Sequence, residues 1–156
     1  MSKPLKRPES VLVVVYTLQQ EVLLLQRSDD PNFWQSITGS LDPGETPAQT
    51  AVRELREETG ISGVELIDCQ HQAWFDIRPE WQHRYPPGTT RNLEHVFIAE
   101  LQQRLPVTLE PAEHLAFEWV PPQQALTTLW SETNRKALQQ FVLPRLSGRL
   151  SGTPIN

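Results

Sequence analysis

The chain has 156 residues, a net charge of -5 and an isoelectric point near 5.4, which suits one domain with a well-buried core and argues against a broad surface for nucleic acid. Its single cysteine, Cys69, excludes an intrachain disulfide, fits a reducing compartment and is expected to pack on a strand. No apolar run approaches the roughly 20 residues of a membrane span, so no membrane partner is expected.

Lys3, Lys6 and Arg7 precede the apolar run 11–15, a superficial likeness to a secretory leader. The run leads into Tyr16-Thr17-Leu18-Gln19-Gln20-Glu21 with no small-residue cleavage site, so the leader reading is rejected and the cytoplasm is the expected location. Residues 11–18 and 22–26 are β-branched or leucine-rich and read as neighbouring antiparallel strands buried on both faces. Arg27 follows, ahead of the turn signal Asp29-Asp30-Pro31-Asn32, and residues 34–38 read as a short strand delivering the chain to Gly39.

From Gly39 the grammar is a turn, a helix and a stop. Thr46 is the expected N-cap, Pro47 the first helical residue, and Gly60 the residue past the end. On that helix Glu54, Glu57 and Glu58 stand at i, i+3 and i+4, within an arc of roughly 100°. Like charges so placed repel. A solvated acidic face, with Arg53 and Arg56 as surface partners, would be the ordinary explanation of the glutamates alone. A hard divalent cation is the other, since such ions take a few carboxylates together with the phosphate oxygens of a substrate.

Beyond the helix, residues 64–77 alternate imperfectly and suggest a long strand with one face buried. Residues 78–91 interrupt it with arginines, His83, Trp81 and Tyr85 among prolines, a composition for a functional loop or an ordinary surface turn. A strand is expected at 95–101 and a short edge strand at 107–109, between Pro106 and Pro111. Residues 113–120 read as a strand start, 121–129 as a short helix, and Ser131 as the cap of a last helix to about Leu143. One domain over residues 1–146 is expected, with a mobile tail over 147–156.

The spacing from Gly39 through Glu45, Arg53, Glu54, Leu55, Glu57, Glu58, Gly60 and Ile61 reads G-x5-E-x7-R-E-L-x-E-E-x-G-I, and it resembles the signature of the Nudix hydrolases at every specified position. The resemblance implies an α/β fold, an α/β/α sandwich with a mixed central sheet, and hydrolysis of a nucleoside-diphosphate-linked compound at a pyrophosphate bond. It implies Mg²⁺, with Mn²⁺ as a substitute, held by Glu54, Glu57, Glu58 and the Gly39 carbonyl, with one of these glutamates also a general base. A further acid is expected from Glu113 or Glu118; Glu113 is preferred because its loop can close onto the metal.

Lys6-Arg7-Pro8, the stretch 29–39, Leu66-Ile67-Asp68-Cys69-Gln70, His83-Arg84-Tyr85 with Gly88, and Glu113-His114-Leu115-Ala116 resemble a bacterial branch of that family in folate synthesis. That branch cleaves 7,8-dihydroneopterin triphosphate. The likeness implies substrate contacts at Lys6, Arg27, Thr38, Phe75, Asp76, Ile77, Arg78 and Ser131, and a small pterin or nucleoside triphosphate as partner. A nucleoside triphosphate or dinucleoside polyphosphate pyrophosphatase and a catalytically silent binding module are the rival readings.

Overall fold

The two leading apolar runs form β1 (Glu9–Thr17) and β2 (Glu21–Arg27), in a computed structural model that describes residues 4–150, with side chains described through Ser147. The strands pair antiparallel only at Tyr16 with Val22 and Thr17 with Glu21, then part. Into the gap come β3 (Trp34–Gln35), paired with β2, and β4 (Ile37–Ser40), paired with β1. The single strand expected at 34–38 is thus two, broken at Ser36, because each half follows a different neighbour.

β5 (Leu66–Asp76) lies antiparallel to β6 (Arg91–Leu101), and β7 (His114–Val120) pairs with the outer edge of β2. β6 starts earlier than residue 95 because it runs parallel to β1 from Glu9–Leu93 to Thr17–Leu101. The sheet is therefore mixed, in the order β3-β2-β1-β6-β5 with β4 on β1 and β7 on β2. The imperfect alternation of β5 has a local cause. Its register shifts between Asp68 and Gln72, where Gln70 takes φ 53°.

Period-two alternation in β1 divides the core. Val11, Val13 and Val15 meet Ala51 and Leu55 of α1 (Pro47–Thr59) on one face. Leu12, Val14 and Tyr16 meet the helical layer on the other, made of α2 (Pro122–Thr128), α3 (Glu132–Ala137), a π turn (Leu138–Val142) and α4 (Leu143–Leu150). Each fully buried Val or Leu contributes about 1.5–3 kcal/mol, so both layers are held to the sheet chiefly by these side chains. The result is an α/β/α sandwich. No described helix is long and apolar enough to cross a membrane.

Two expectations fail for identifiable reasons. Residues 107–109 form no strand: the Thr108 N–H donates to the Thr59 carbonyl at 2.8 Å, closing the end of α1, while Val107 and Leu109 pack on the core. The last helix does not stop at Leu143: α4 carries it on to Leu150, over the first residues of the expected tail. The Leu143 N–H donates to the Leu138 carbonyl, five residues back, and this wider turn places Pro144 in the first turn of α4, where a missing N–H is tolerated. The rest of the expected tail lies outside the described residues.

Candidate functional site

The site begins with the ends of α1. Thr46 Oγ accepts from the Gln49 N–H at 3.2 Å while Gln49 Oε1 accepts from the Thr46 N–H at 3.0 Å, with Pro47 in the first turn. Gly60, at φ 77°, ends the helix by donating its N–H to the Arg56 carbonyl at 2.8 Å. So pinned, the helix turns Glu54 and Glu58 inward, 9 % and 8 % exposed, and leaves the Glu57 side chain 52 % exposed at the rim.

Glu54 lies directly on β4. A Cβ on Gly39 would stand 2.0 Å from Glu54 Cδ and 2.3 Å from its Oε2, so only glycine lets the carboxylate rest there. Arg53 ties the motif together. Its Nε and Nη2 donate to the two Glu45 oxygens at 2.7 and 2.9 Å, Nη1 to Glu54 at 2.8 Å and Glu57 at 3.0 Å, and Nη2 to the Ser40 carbonyl at 3.0 Å. Hydrogen bonds from Arg53 hold the Glu45 carboxyl down to about 2. Burial pushes Glu54 up to about 7, with repulsion from Glu58 and Glu57 adding to it and Arg53 opposing.

Glu58 presents a different feature. Its Oε1 is 2.7 Å from His114 Nδ1, yet the two are misaligned, and both atoms are buried without a hydrogen bond among the described residues. An orphaned carboxylate oxygen is costly unless something else is to occupy its neighbourhood. With the Gly39 cradle and an oxygen-only donor set, it fits a hard divalent cation held by Glu54, Glu58 and the Gly39 carbonyl, with Glu57 at the rim. Among the described residues no three acidic, His or Cys side chains converge as a ready-made metal site. Arg53 draws Glu54 and Glu57 toward itself instead.

The two candidates for a further acid separate in space. Glu118 is exposed in mid-β7, paired with Leu24. Glu113 ends the turn just before His114 and pulls electrostatically on Lys6, as Glu54 also does. The half-buried Lys6 is held below its ordinary value by burial first, then by Arg84 and Arg27. Lys6 therefore lies within electrostatic reach of Arg27 and Arg84 and of the Glu54 and Glu113 carboxylates.

Arg27 grips Asp29 through Nε and Nη2 at 2.7 and 2.6 Å, reaches Gln35 Oε1 at 3.1 Å, and stacks 4.2 Å over the Trp81 ring. Gln35 Nε2 in turn donates to Thr38 Oγ1 at 3.4 Å. Phe33 and Trp130 stack at 4.7 Å and 13°, Trp81 stands edge-on to both, and the Arg78 guanidinium lies 4.9 Å over Phe33. Arg27, Thr38 and Arg78 thus belong to one aromatic and polar cluster. Ser131, beside it, caps α3 by accepting from the Asn134 N–H at 3.4 Å.

Phe75 is half-buried opposite Asn92, Asp76 is exposed, and Ile77 is buried with its N–H donated to the Thr90 carbonyl at 2.8 Å. Sequence reasoning missed Phe33, Gln35, Trp130 and His114, and placed Arg53 in the signature without giving it a role there. Aromatic residues flanking turn and cap signals, as in Asn32-Phe33 and Trp130-Ser131, were the one clue to the cluster.

A NUDIX domain profile matches residues 6–141. The chain is 47 % identical over 148 residues to the dihydroneopterin triphosphate diphosphatase of Escherichia coli K12, covering 90 % of this chain and 96 % of that one. It is 39 % identical over 142 residues to the enzyme of the same name from Haemophilus influenzae, covering 88 % and 89 %. The solved E. coli dihydroneopterin triphosphate pyrophosphohydrolase superimposes with a TM-score of 0.86 at 44 % identity, over 91 % of this chain and 99 % of that one. With the signature on α1, the splayed mixed sheet between two helical layers, and a match over most of its length, this chain belongs to the Nudix family of hydrolases.

Proposed function

We propose that this protein is a Mg²⁺-dependent pyrophosphohydrolase that cleaves 7,8-dihydroneopterin triphosphate into dihydroneopterin monophosphate and pyrophosphate. The observation that carries the reading is the electrostatic neighbourhood of Lys6, where Arg27 and Arg84 act together with the Glu54 and Glu113 carboxylates beside the α1 motif. Cations without acids would suit simple anion binding, and acids without cations a metal store. Their juxtaposition suits a polyphosphate that arrives with a metal. The choice of pterin is supported by the E. coli and H. influenzae relatives.

Glu54, Glu57, Glu58, Glu113 and the Gly39 carbonyl would hold the metal, which when bound supplies Lewis-acid polarisation of phosphoryl oxygens and activation of water. Lys6 and Arg27 offset the negative charge of the triphosphate. Arg53 spaces the glutamates, so that their repulsion does not spread the helix face before substrate arrives. Of the three α1 glutamates, Glu54 and Glu58 are the buried pair placed to take the proton that the attacking water must lose. Thr38 and the 75–78 strand end, with Ser131, contact the rest of the substrate. The aromatic cluster of Phe33, Trp81 and Trp130 offers π surface to any planar ring, so some turnover of nucleoside triphosphates is expected, with a preference for the pterin over dATP of roughly tenfold or more in kcat/KM.

Phosphorus NMR with Mg²⁺ and dihydroneopterin triphosphate tests this. Pyrophosphate and the monophosphate should appear together. Orthophosphate appearing first, or diadenosine tetraphosphate turned over far faster than the pterin, would overturn the assignment.

A further inference from the structure

A second unpaired carboxylate lies away from the glutamates of α1. Glu94, on β6, is 3 % exposed, and its Oε1 has no hydrogen bond among the described residues. It forms part of the wall of a cleft of about 350 Å³ between the β5–β6 edge and α3, shared with His71, Ala73, Thr133 and Phe141. That volume lies at the small end of the range for small-molecule sites. Among the described residues no cation pairs with it: Lys136, on the cleft wall, pairs with Glu132 at 3.8 Å. A buried carboxyl with no ion pair, held by the Thr133 hydroxyl and with its Oε1 unpaired, costs stability.

Its position relative to the phosphate site is set by register. Ser10 of β1 pairs with Glu94 on one side and Ser40 of β4 on the other, so adjacent strands put the Glu94 backbone about 10 Å from that of Ser40; Glu94 and Thr38 share the Leu12 face of the sheet, while α1 covers the opposite face at Gly39. A bicyclic ring on a three-carbon chain covers such a span. Ala73 opposes Glu94, and Phe75 opposes Asn92 two residues along, so Phe75 shares the Glu94 face of the sheet. A flat ring entering the cleft meets the His71 and Phe141 rings beside the carboxylate, with Phe75 farther along the same face.

We propose that Glu94 reads the amino-pyrimidinone edge of the substrate ring, its two oxygens accepting from the ring N–H and the adjacent 2-amino group. This deepens the pterin triphosphate reading and rests on it. The two donors are coplanar and parallel, the arrangement by which a guanidinium engages a carboxylate. Guanine carries the same edge. Adenine pairs its amino group with a ring nitrogen lone pair, which a carboxylate oxygen repels. Burial pushes the Glu94 carboxyl up to about 7, with the Thr133 hydroxyl opposing, and a ligand bringing two donors favours its ionised form. Stacking holds any planar base alike, so edge recognition is what separates pterin from adenine.

The test compares wild type with Glu94→Gln on dihydroneopterin triphosphate, GTP, ITP and dATP, ITP differing from GTP only in lacking the 2-amino group. Glutamine offers one acceptor and one donor in place of two acceptors. The ratio of kcat/KM for the pterin over dATP should fall about tenfold in the variant, toward parity. Wild type should prefer GTP to ITP by about tenfold, and the variant should lose that preference. Equal losses on all four substrates, or no preference of wild type for GTP over ITP, would overturn the assignment. If the variant does not fold, the wild-type GTP to ITP ratio decides alone. A GTP preference that the variant abolishes, in an enzyme that fails the pterin product test, would retain the edge contact and remove only the pterin assignment.

Discussion

Gly39→Ala isolates the close approach of Glu54 to β4. Gly39 is not among the residues with positive φ, so alanine suits the backbone and any effect must come from the added methyl group. That carbon would stand 2.0 Å from Glu54 Cδ, whereas carbon atoms in contact sit at about 3.5–4.0 Å, so the carboxylate must retreat by roughly 1.5–2 Å. The obstructing atoms are the end of a flexible side chain, so the fold should accommodate the methyl at a cost of about 1–3 kcal/mol for disturbing the 2.8 Å bond from Arg53. Catalysis should not accommodate it: a displacement of about 1 Å can cost about 100-fold, so kcat should fall by about that factor or more, and the Mg²⁺ concentration for half-activity should rise. Pyrophosphate release measured across a Mg²⁺ titration, beside a melt in chelator, reads both quantities. A folded variant within about threefold of wild-type turnover and with unchanged Mg²⁺ dependence would refute the reasoning. So would a variant that does not fold.

Glu54→Gln should reduce turnover by about two to four orders of magnitude while stabilising the metal-free protein at alkaline pH. The sign follows from linkage: Glu54 titrates near 7 in the folded chain and near 4.5 as a free group, so its ionisation costs folding stability as pH rises between those values. In chelator the variant should exceed wild type by on the order of 1–3 kcal/mol at pH 8 and converge with it toward pH 4, and chemical denaturation showing no pH-dependent difference would contradict this. Glu113→Gln should lower activity less than Glu54→Gln and recover part of it at high Mg²⁺, whereas Glu118→Gln, altered on the exposed face of β7, should behave as wild type. The opposite pattern in Mg²⁺-dependent kinetics would move the peripheral ligand to Glu118.

What could be read directly from the chain was whatever depends on neighbours in sequence. Thr46, Pro47 and Gly60 announce the ends of α1 because caps act within one turn, and the same periodicity puts Glu54 and Glu58 on one stripe. The β-branched runs announce β1 and β2, since burial on both faces demands apolar side chains at every position. Pairing across distance was not legible: that β2 leaves β1 after two residue pairs, admitting β3 and β4, depends on edges supplied by β6 and β7 some 80 to 100 residues later. The same limit hid the stacking of Phe33 on Trp130, the orphaned pair of Glu58 and His114, and the unpaired Glu94 beneath α3. A glutamate in a strand looks the same in sequence whether it meets water or a closed apolar layer, and only the packing of α3 over β6 removed the water that would have satisfied it.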